Sequence, residues 1–139
     1  MRLTVIFFDT NVLDYFAINQ DTRKQSEALQ ASIQQAIENK TLVISPLVMI
    51  EFIFVLSKLY QLVEQERTVS FFQQFVKGQI EADLVSSAYQ LCAQHKQGKN
   101  INDVIHLKFA EKHCEKIITF DTDFKVLQAF STINIEIQA

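Results

Sequence analysis

Four acidic residues of this sequence stand within or beside apolar runs that are typical of a protein interior. They are Asp9, Glu51, Asp103 and Asp121. A carboxylate in such surroundings must be solvated, paired, protonated or bound to a cation, because burying a bare charge costs several kcal/mol. The sequence offers these acids no obvious buried basic partner. A divalent metal ion is therefore the simplest partner that would balance their charge.

The chemistry that these acids could perform follows from their oxygen atoms. Oxygen ligands suit Mg²⁺ and Mn²⁺. Either ion lowers the pKa of a bound water and stabilises the charge on phosphoryl oxygens. Like charges held close together cannot all stay ionised without such compensation. The acids therefore suit metal-assisted phosphodiester hydrolysis, provided that the fold brings them together.

The predicted strands alternate with helical segments. They cover residues 2–8, 41–45, 116–120 and 132–137. Strands separated by helices predict an α/β fold, a three-layer α/β/α sandwich around a mostly parallel sheet of four to five strands. In such sheets, sites form outside the carboxyl ends of the strands. Asp9 and Asp121 directly follow strands, and Glu51 and Asp103 lie in the first turn or two of helices that begin at the same edge, so all of these acids are expected in one crevice.

Apolar residues at helical spacing predict the remaining elements. The predicted helices cover 12–18, a segment from a cap at Asp21-Thr22 to about Asn39, a segment opened by Pro46, and 64–77, 82–95 and 100–115. Gly78 and Gly98 fall after helical segments, where glycine commonly ends a helix. With no linker, repeat or low-complexity stretch, residues 1–139 are expected to form one domain.

Most of the acids also have a purely structural interpretation when each is considered alone. Asp9 could cap the following helix, Asp103 could complement a helix dipole, and Asp121 could belong to a turn. Glu51 is harder to explain in this way, because Lys58 lies nearly two turns away on its helix. The predicted site would be absent only if all of these structural interpretations were correct at the same time.

Four short stretches of the chain resemble the conserved segments of a PIN domain. They are residues 8–13, 44–51, 102–107 and 118–124. PIN domains are the fold of many small metal-dependent ribonucleases, including the VapC-type toxins of bacterial toxin–antitoxin pairs. The resemblance covers essentially the full length. It implies that the acidic quartet is catalytic and binds one or two Mg²⁺ or Mn²⁺ ions.

The resemblance also implies supporting residues and partners. Asp123 matches a further, less constant acid, Thr10 and Thr119 match hydroxyl groups that orient the acids, and Asn11 matches a common neighbour of the first Asp. The implied substrate is single-stranded or loop RNA. PIN domains of this size often form homodimers, and VapC-type toxins bind an antitoxin peptide that covers the site.

A basic surface for RNA is weakly indicated. Lys96, Lys99 and Lys125 flank the acidic segments and are hypothetical phosphate contacts, with ordinary solvated charge as the alternative. The net charge of −3 argues against a purely electrostatic grip on nucleic acid, although bound cations would reverse the sign locally.

The histidines and cysteines form no recognisable motif. His106 lies one turn beyond Asp103 and could support the acids, but we expect a packing or surface role for it, and no histidine spacing suggests zinc. Cys92 and Cys114 are expected to be reduced thiols in the core.

The aromatic content suggests a protein partner. Twelve Phe is high for this length, and Phe52, Phe54 and the pair Phe71-Phe72 cannot all face one core from regular helices. Some apolar surface is therefore expected to meet a second chain, unless the core is unusually thick. No apolar run could span a bilayer and no signal peptide is recognisable, so a cytoplasmic protein without membrane attachment is expected.

The leading hypothesis is a Mg²⁺- or Mn²⁺-dependent endoribonuclease in which Asp9, Asp103 and Asp121 hold the metal and Glu51 holds or orients the attacking water, either directly or through a second metal. One alternative is a PIN-type module that binds RNA or protein without cutting. Another is a haloacid-dehalogenase-like phosphatase or a receiver domain, although Asn11 stands where the phosphatase motif carries a second Asp. A DNA-directed nuclease on a related scaffold differs only in its substrate.

Overall fold

A parallel sheet lies at the centre of the protein. The computed structural model describes residues 3–18 and 27–138, and within them the sheet has four strands: β1 (Ile6–Phe8), β2 (Leu42–Val43), β3 (Lys116–Thr119) and β4 (Asn134–Ile137). Their order is β2-β1-β3-β4, and every neighbouring pair runs parallel. In the central register, Phe7 lies opposite Val43 on one side and Ile117 on the other.

The two central strands are buried on both faces. Phe7 and Phe8 are fully buried, as are Ile117 and Ile118 beside them. Since successive side chains of a strand point to opposite faces, both faces of the sheet must be covered by other elements. Helices provide that cover. The predicted three-layer α/β/α sandwich with a parallel sheet is confirmed.

Seven α-helices are described: α1 (Thr10–Ala17), α2 (Glu27–Glu38), α3 (Pro46–Lys58), α4 (Glu66–Gln73), α5 (Ala82–His95), α6 (Ile101–His113) and α7 (Phe124–Leu127). The helices α1 and α3 pack on each other, as do α5 and α6. The start of α3 is fixed by Ser45, whose hydroxyl accepts a hydrogen bond from the amide of Val48 at 3.0 Å, with Pro46 in the first turn. That cap places the first turns of α3 at the carboxyl edge of the sheet.

The predicted helix 64–77 is wrong at its end. Helix α4 stops at Gln73, and Val76 forms a parallel bridge with Ile44, just beyond β2. The amide of Ile44 donates to the carbonyl of Phe75, and the carbonyl of Ile44 accepts from the amide of Lys77, both at 3.0 Å. Ile44 is fully buried, so its backbone N–H and C=O groups must find hydrogen-bond partners within the protein. Phe75 and Val76 therefore pair with this strand end instead of continuing the helix.

Gly78 follows this bridge in a conformation that suits glycine. Its φ is +75°, and a Cβ atom at this position would lie 3.0 Å from the ring of Phe109. A side chain here would therefore be strained by the backbone and would also crowd α6.

Several other boundaries differ from the predictions by a few residues. The strands β1, β2, β3 and β4 are each shorter than predicted, β3 by one residue, and the short helix α7 after Asp123 was not predicted. The predicted cap at Asp21-Thr22 lies outside the described residues. Cys92 and Cys114 are buried free thiols, as expected. No helix in the described part of the chain combines the length and apolar character that a membrane span needs.

Candidate active site

The acidic quartet lies at the carboxyl edge of the sheet. Asp9 directly follows β1 and Asp121 lies two residues beyond the end of β3, while Glu51 and Asp103 lie near the starts of α3 and α6. Carboxylate oxygens of Asp103, Asp121 and Asp123 lie within 4.8 Å of one another. A second group with the same spacing is formed by Asp9, Glu51 and His106.

The two groups form one electrostatic unit. The pKa of Asp103 is raised to about 7, first by burial and then by the negative charges of Asp9, Asp121 and Glu51, against the opposing effect of His106. The fold thus brings together four acids that the sequence separates by tens of residues.

Asp9 is held in place by two donors. Its Oδ1 accepts from the amide of Thr10 at 2.7 Å, and its Oδ2 accepts from the hydroxyl of Thr119 at 2.8 Å. Asp9 also caps α1, so the structural role considered for it and a place in the site coexist. Burial raises the pKa of Asp9, while His106 and these hydrogen bonds act in the opposite direction.

Thr119 connects the ends of the two central strands. Its hydroxyl donates to Asp9 and accepts from the amide of Asp121 at 3.0 Å and from the side-chain amide of Asn11 at 3.3 Å. The carbonyl oxygen of Asn11 in turn accepts from the amide of Phe120 at 3.2 Å. These bonds fix the turn that carries Asp121 relative to Asp9.

Asp121 and Asp123 complete this turn. The amide of Asp123 donates to Oδ1 of Asp121 at 2.8 Å. Asp121 is half-buried and Asp123 is exposed. Their carboxylates therefore face the accessible side of the cluster, where an ion or a phosphate could enter.

Glu51 is held by three side-chain donors from two helices. Oε1 accepts from the hydroxyl of Thr10 at 2.5 Å and lies 2.8 Å from Nε2 of His106, while Oε2 accepts from the amide of Asn102 at 2.9 Å. Burial favours the neutral carboxyl, but the interactions with His106, Thr10 and Asn102 outweigh it and lower the pKa of Glu51.

His106 combines the packing role expected from the sequence with the supporting role that was considered as the alternative. It does pack against the ring of Phe7, with centroids 5.5 Å apart, but its Nε2 also bonds to Glu51 and lies 3.8 Å from Oδ1 of Asp9. Burial opposes the imidazolium form, but the hydrogen bond and the charges of Glu51 and Asp9 raise the pKa of His106. Its spacing of one helical turn from Asp103 was the available signal.

Asp14 is a fifth acid that the sequence analysis missed. It lies one turn after Thr10 on α1, and its Oδ1 is buried without a hydrogen-bond partner among residues 3–18 and 27–138. Burial, followed by the charges of Asp9 and Glu51, raises its pKa to about 7. Asp14 also lines a cavity of about 380 Å³ together with Asn11, Tyr15, Ile18, Val55 and Leu59.

The residues present fit a hard divalent cation. The accessible ligands are carboxylate oxygens, the donor type that suits Mg²⁺ and Mn²⁺. Burial raises the pKa of Asp9 and Asp103, and the charges of the neighbouring acids raise it further, so positive charge placed here would favour the ionised carboxylates. A divalent ion would supply it.

The three lysines proposed to contact phosphate are all exposed. Lys96 ends α5 in a left-handed conformation, Lys99 lies in the 3₁₀ turn that precedes α6, and Lys125 lies on α7 directly after the Asp121-Asp123 turn. Lys96 and Lys99 therefore lie shortly before the helix that carries Asp103, and Lys125 lies shortly after Asp121. Contact with RNA stays a prediction.

The fold is that of a PIN domain, and the chain belongs to the PIN domain family, whose model matches residues 6–129. The resemblance stated from the sequence is confirmed, and the phosphatase and receiver alternatives no longer apply. A comparison with curated proteins found no match.

The fold is similar to that of chains from two solved complexes. One chain belongs to VapBC2 from Rickettsia felis bound to a DNA fragment from their promoter, with a TM-score of 0.70, 16% sequence identity and coverage of 96% of this chain and 98% of that one. The other belongs to a toxin–antitoxin complex from Klebsiella pneumoniae, with a TM-score of 0.58, 19% identity and coverage of 86% and 89%. At such identities the likeness concerns the fold alone.

Proposed function

We propose that this protein is a Mg²⁺- or Mn²⁺-dependent endoribonuclease in which Asp9, Asp103 and Asp121 hold the metal and Glu51 positions the attacking water. The observation that carries the proposal is the convergence of four acids from four separate elements, for which His106 is the only basic partner found within the described part of the chain. Such an excess of negative charge is costly unless a cation offsets it.

The acidic side chains of this site have different proposed roles. Asp9 is fixed by Thr119 and by the amide of Thr10, so its carboxylate is oriented before any ligand arrives. Glu51 is fixed by three donors and retains a lone pair on Oε2 that can accept a hydrogen from a water molecule. When bound, the metal would lower the pKa of a water and offset negative charge on the phosphoryl oxygens.

The decisive experiment is cleavage of a mixed RNA pool that includes tRNA and ribosomal stem-loops. Wild type should cut with Mn²⁺ and not with EDTA, and Asp9→Asn and Asp121→Asn should not cut although they fold. Asp83→Asn is the matched control, because Asp83 is exposed on α5 and the side-chain oxygen of Asn can also accept the bond that the amide of Leu84 donates to Oδ1 of Asp83.

Retained metal-dependent cutting by either site variant would overturn these roles. No cutting of any RNA by folded, metal-bound wild type would favour a binding module instead. Cutting of DNA alone would assign a different substrate to the same centre.

The exposed lysines offer a separate test of the RNA surface. Exchanging Lys96, Lys99 and Lys125 for Ala should raise the apparent RNA dissociation constant. It should also flatten the salt slope of binding by about 0.7 for each phosphate that is no longer neutralised, as expected for single strands. An unchanged slope would remove these lysines from the proposal. Lys58, which lies over the ring of Phe54 on α3, supplies the control exchange.

A second chain is the proposed partner of the exposed apolar surface. We define the α3 outer face as Ile50, Phe54, Leu59, Tyr60 and Val63. Four of these side chains are more than half exposed, with Tyr60 at 91% and Val63 at 81%. Ile50 and Phe54 lie one turn apart on α3, and Leu59, Tyr60 and Val63 follow its end; apolar exposure concentrated in this way is typical of interaction sites. We propose that this face mediates homodimer formation, and that an antitoxin peptide covers the acidic site, as the resemblance to VapC-type toxins implies.

Sedimentation at micromolar concentration tests the dimer. Wild type should sediment as a dimer, and the double exchange Ile50→Glu and Phe54→Glu should give a monomer. Val126→Glu is the control, because Val126 is half exposed on α7. A wild-type protein that sediments only as a monomer would refute the proposed homodimer.

Expression of the chain with a small DNA-binding protein encoded beside its gene tests the antitoxin. A complex that blocks RNA cleavage would support it. We further propose that residues 1–139 act as one domain in the cytoplasm, where an RNA substrate is available.

A further inference from the structure

The acidic residues of the site differ in how many carboxylate lone pairs their hydrogen bonds leave free. A carboxylate offers about four lone-pair positions. Glu51 uses three of them on Thr10, His106 and Asn102, and both positions of its Oε1 are taken. Glu51 therefore has little capacity left to act as a direct metal ligand.

The other acids of the quartet are much freer. Asp9 accepts one bond on each oxygen, and Asp121 accepts one bond from the amide of Asp123. No donor from residues 3–18 or 27–138 bonds to the carboxylate of Asp103. Available lone pairs thus increase from Glu51 through Asp9 and Asp121 to Asp103, which places the metal on the Asp103 side of the cluster.

His106 occupies the gap on the other side. Its Nε2 lies 2.8 Å from Oε1 of Glu51 and 3.8 Å from Oδ1 of Asp9, where a cation shared by these two acids would have to sit. Because both neighbours are carboxylate oxygens, Nε2 must carry a hydrogen and donate it. Nε2 of His106 therefore occupies this position as a hydrogen-bond donor and not as a metal ligand.

The opposite ring nitrogen makes a change of role costly. Nδ1 of His106 is buried and has no hydrogen-bond partner in the described part of the chain. If Nε2 were to bind a metal, the hydrogen would have to move to Nδ1, where no acceptor waits for it. Metal-binding histidines usually donate their second N–H to an acceptor, and His106 lacks that arrangement.

We propose that His106, by donating from Nε2 to Oε1 of Glu51, holds Glu51 out of the coordination sphere, so that the site binds a single divalent ion on Asp9, Asp103 and Asp121. This inference rests on the proposed function and specifies its metal count. His106 is accordingly a positioning residue, and Glu51 acts on the reaction through water.

Metal stoichiometry provides the first test, independently of RNA cleavage. Titration with Mn²⁺, followed by the electron paramagnetic resonance of the free ion, should give one bound ion per wild-type chain. His106→Leu keeps an apolar side chain against Phe7 and releases Oε1 of Glu51, so a second, weaker site should appear. Adding Glu51→Gln to that variant should abolish the second site again.

The control exchange is His113→Gln, since His113 stacks on Phe109 and takes no part in the cluster, and it should still bind one ion. Circular dichroism checks that each variant is folded. Two ions on the wild type, or no second ion on a folded His106→Leu variant, would overturn the inference while leaving the nuclease proposal intact. No Mn²⁺ binding at all would overturn both.

Nitrogen-15 NMR of the imidazole provides the second test. Nε2 of His106 should keep its hydrogen when Mg²⁺ or Zn²⁺ is added, and Nδ1 should show no metal-induced shift. Loss of the Nε2 hydrogen on metal addition would show that His106 is a ligand and would refute the positioning role.

Discussion

Asp14 allows the electrostatic cost of this site to be measured without touching the proposed metal ligands. Its Oδ1 is buried without a partner in the described part of the chain, and its pKa is raised from 3.8 to about 7 by burial and by the charges of Asp9 and Glu51. Asp14→Asn keeps the shape of the side chain and removes its charge at every pH. We expect this exchange to stabilise the metal-free protein at high pH.

The sign follows from proton binding. Between about pH 4 and pH 7, the folded chain holds a proton on Asp14 that the unfolded chain has released, so the free energy of unfolding falls as the pH rises. A shift of about 3 pH units corresponds to at most about 4 kcal/mol. Because Asp14 is only half-buried, solvent screening reduces this to about 1–2 kcal/mol.

The assay is urea unfolding with EDTA at about pH 8 and about pH 4.5, on either side of most of the titration. Asp14→Asn should gain about 1–2 kcal/mol at the higher pH, equivalent to about 3–8 °C in Tm, and little at the lower pH. Mn²⁺ should shrink the gain, because a bound cation would offset the charges of Asp9 and Glu51.

The control is Asp83→Asn, an exposed exchange on α5 that should change stability little at either pH. An equal gain for Asp14→Asn at both pH values would show that its charge is irrelevant. A loss at about pH 8 would show that the carboxylate has a stabilising partner, and either result would refute the reasoning.

Three further predictions concern the framework of the site. Gly78→Ala should destabilise the protein by about 1–3 kcal/mol in urea unfolding, because of its positive φ and the 3.0 Å approach to Phe109. Thr119→Val should weaken Mn²⁺ affinity about 10–100-fold by removing the donor to Asp9, and Thr119→Ser should retain most of it in the same titration. Mn²⁺ at about 100 times its dissociation constant should stabilise wild type by about 2.7 kcal/mol, and Asp103→Asn should lose most of this gain in calorimetry.

The main lines of the fold and the position of the acids were predictable from the sequence because they depend on short-range patterns. Apolar runs ending in Asp9 and preceding Asp121 identify strands, and parallel sheets gather such residues at one edge. The order of elements alone then places Glu51 and Asp103 nearby.

What escaped prediction depends on contacts between distant parts of the chain. A buried histidine on an apolar helix face looks the same in sequence whether it packs or bonds, and only the approach of α3 to α6 brings Glu51 within reach of His106. Likewise, Phe75 and Val76 continue a helical pattern in the sequence. In the structure they pair with Ile44 instead, because its backbone N–H and C=O groups take their hydrogen-bond partners from this segment. Asp14 was overlooked because one carboxylate on a short helix normally faces solvent.

The bridge between Val76 and Ile44 also affects how the molecule can associate. Open sheet edges present unpaired backbone groups and are templates for edge-to-edge aggregation. At Ile44, just past β2, the backbone donor and acceptor are both satisfied by the segment after α4. At the opposite side, β4 is only four residues long, and its Glu136 pairs with Lys116 of β3 at 2.9 Å. Both ends of the described sheet thus offer little unpaired backbone for edge-to-edge association, which would direct any association to the proposed α3 outer face.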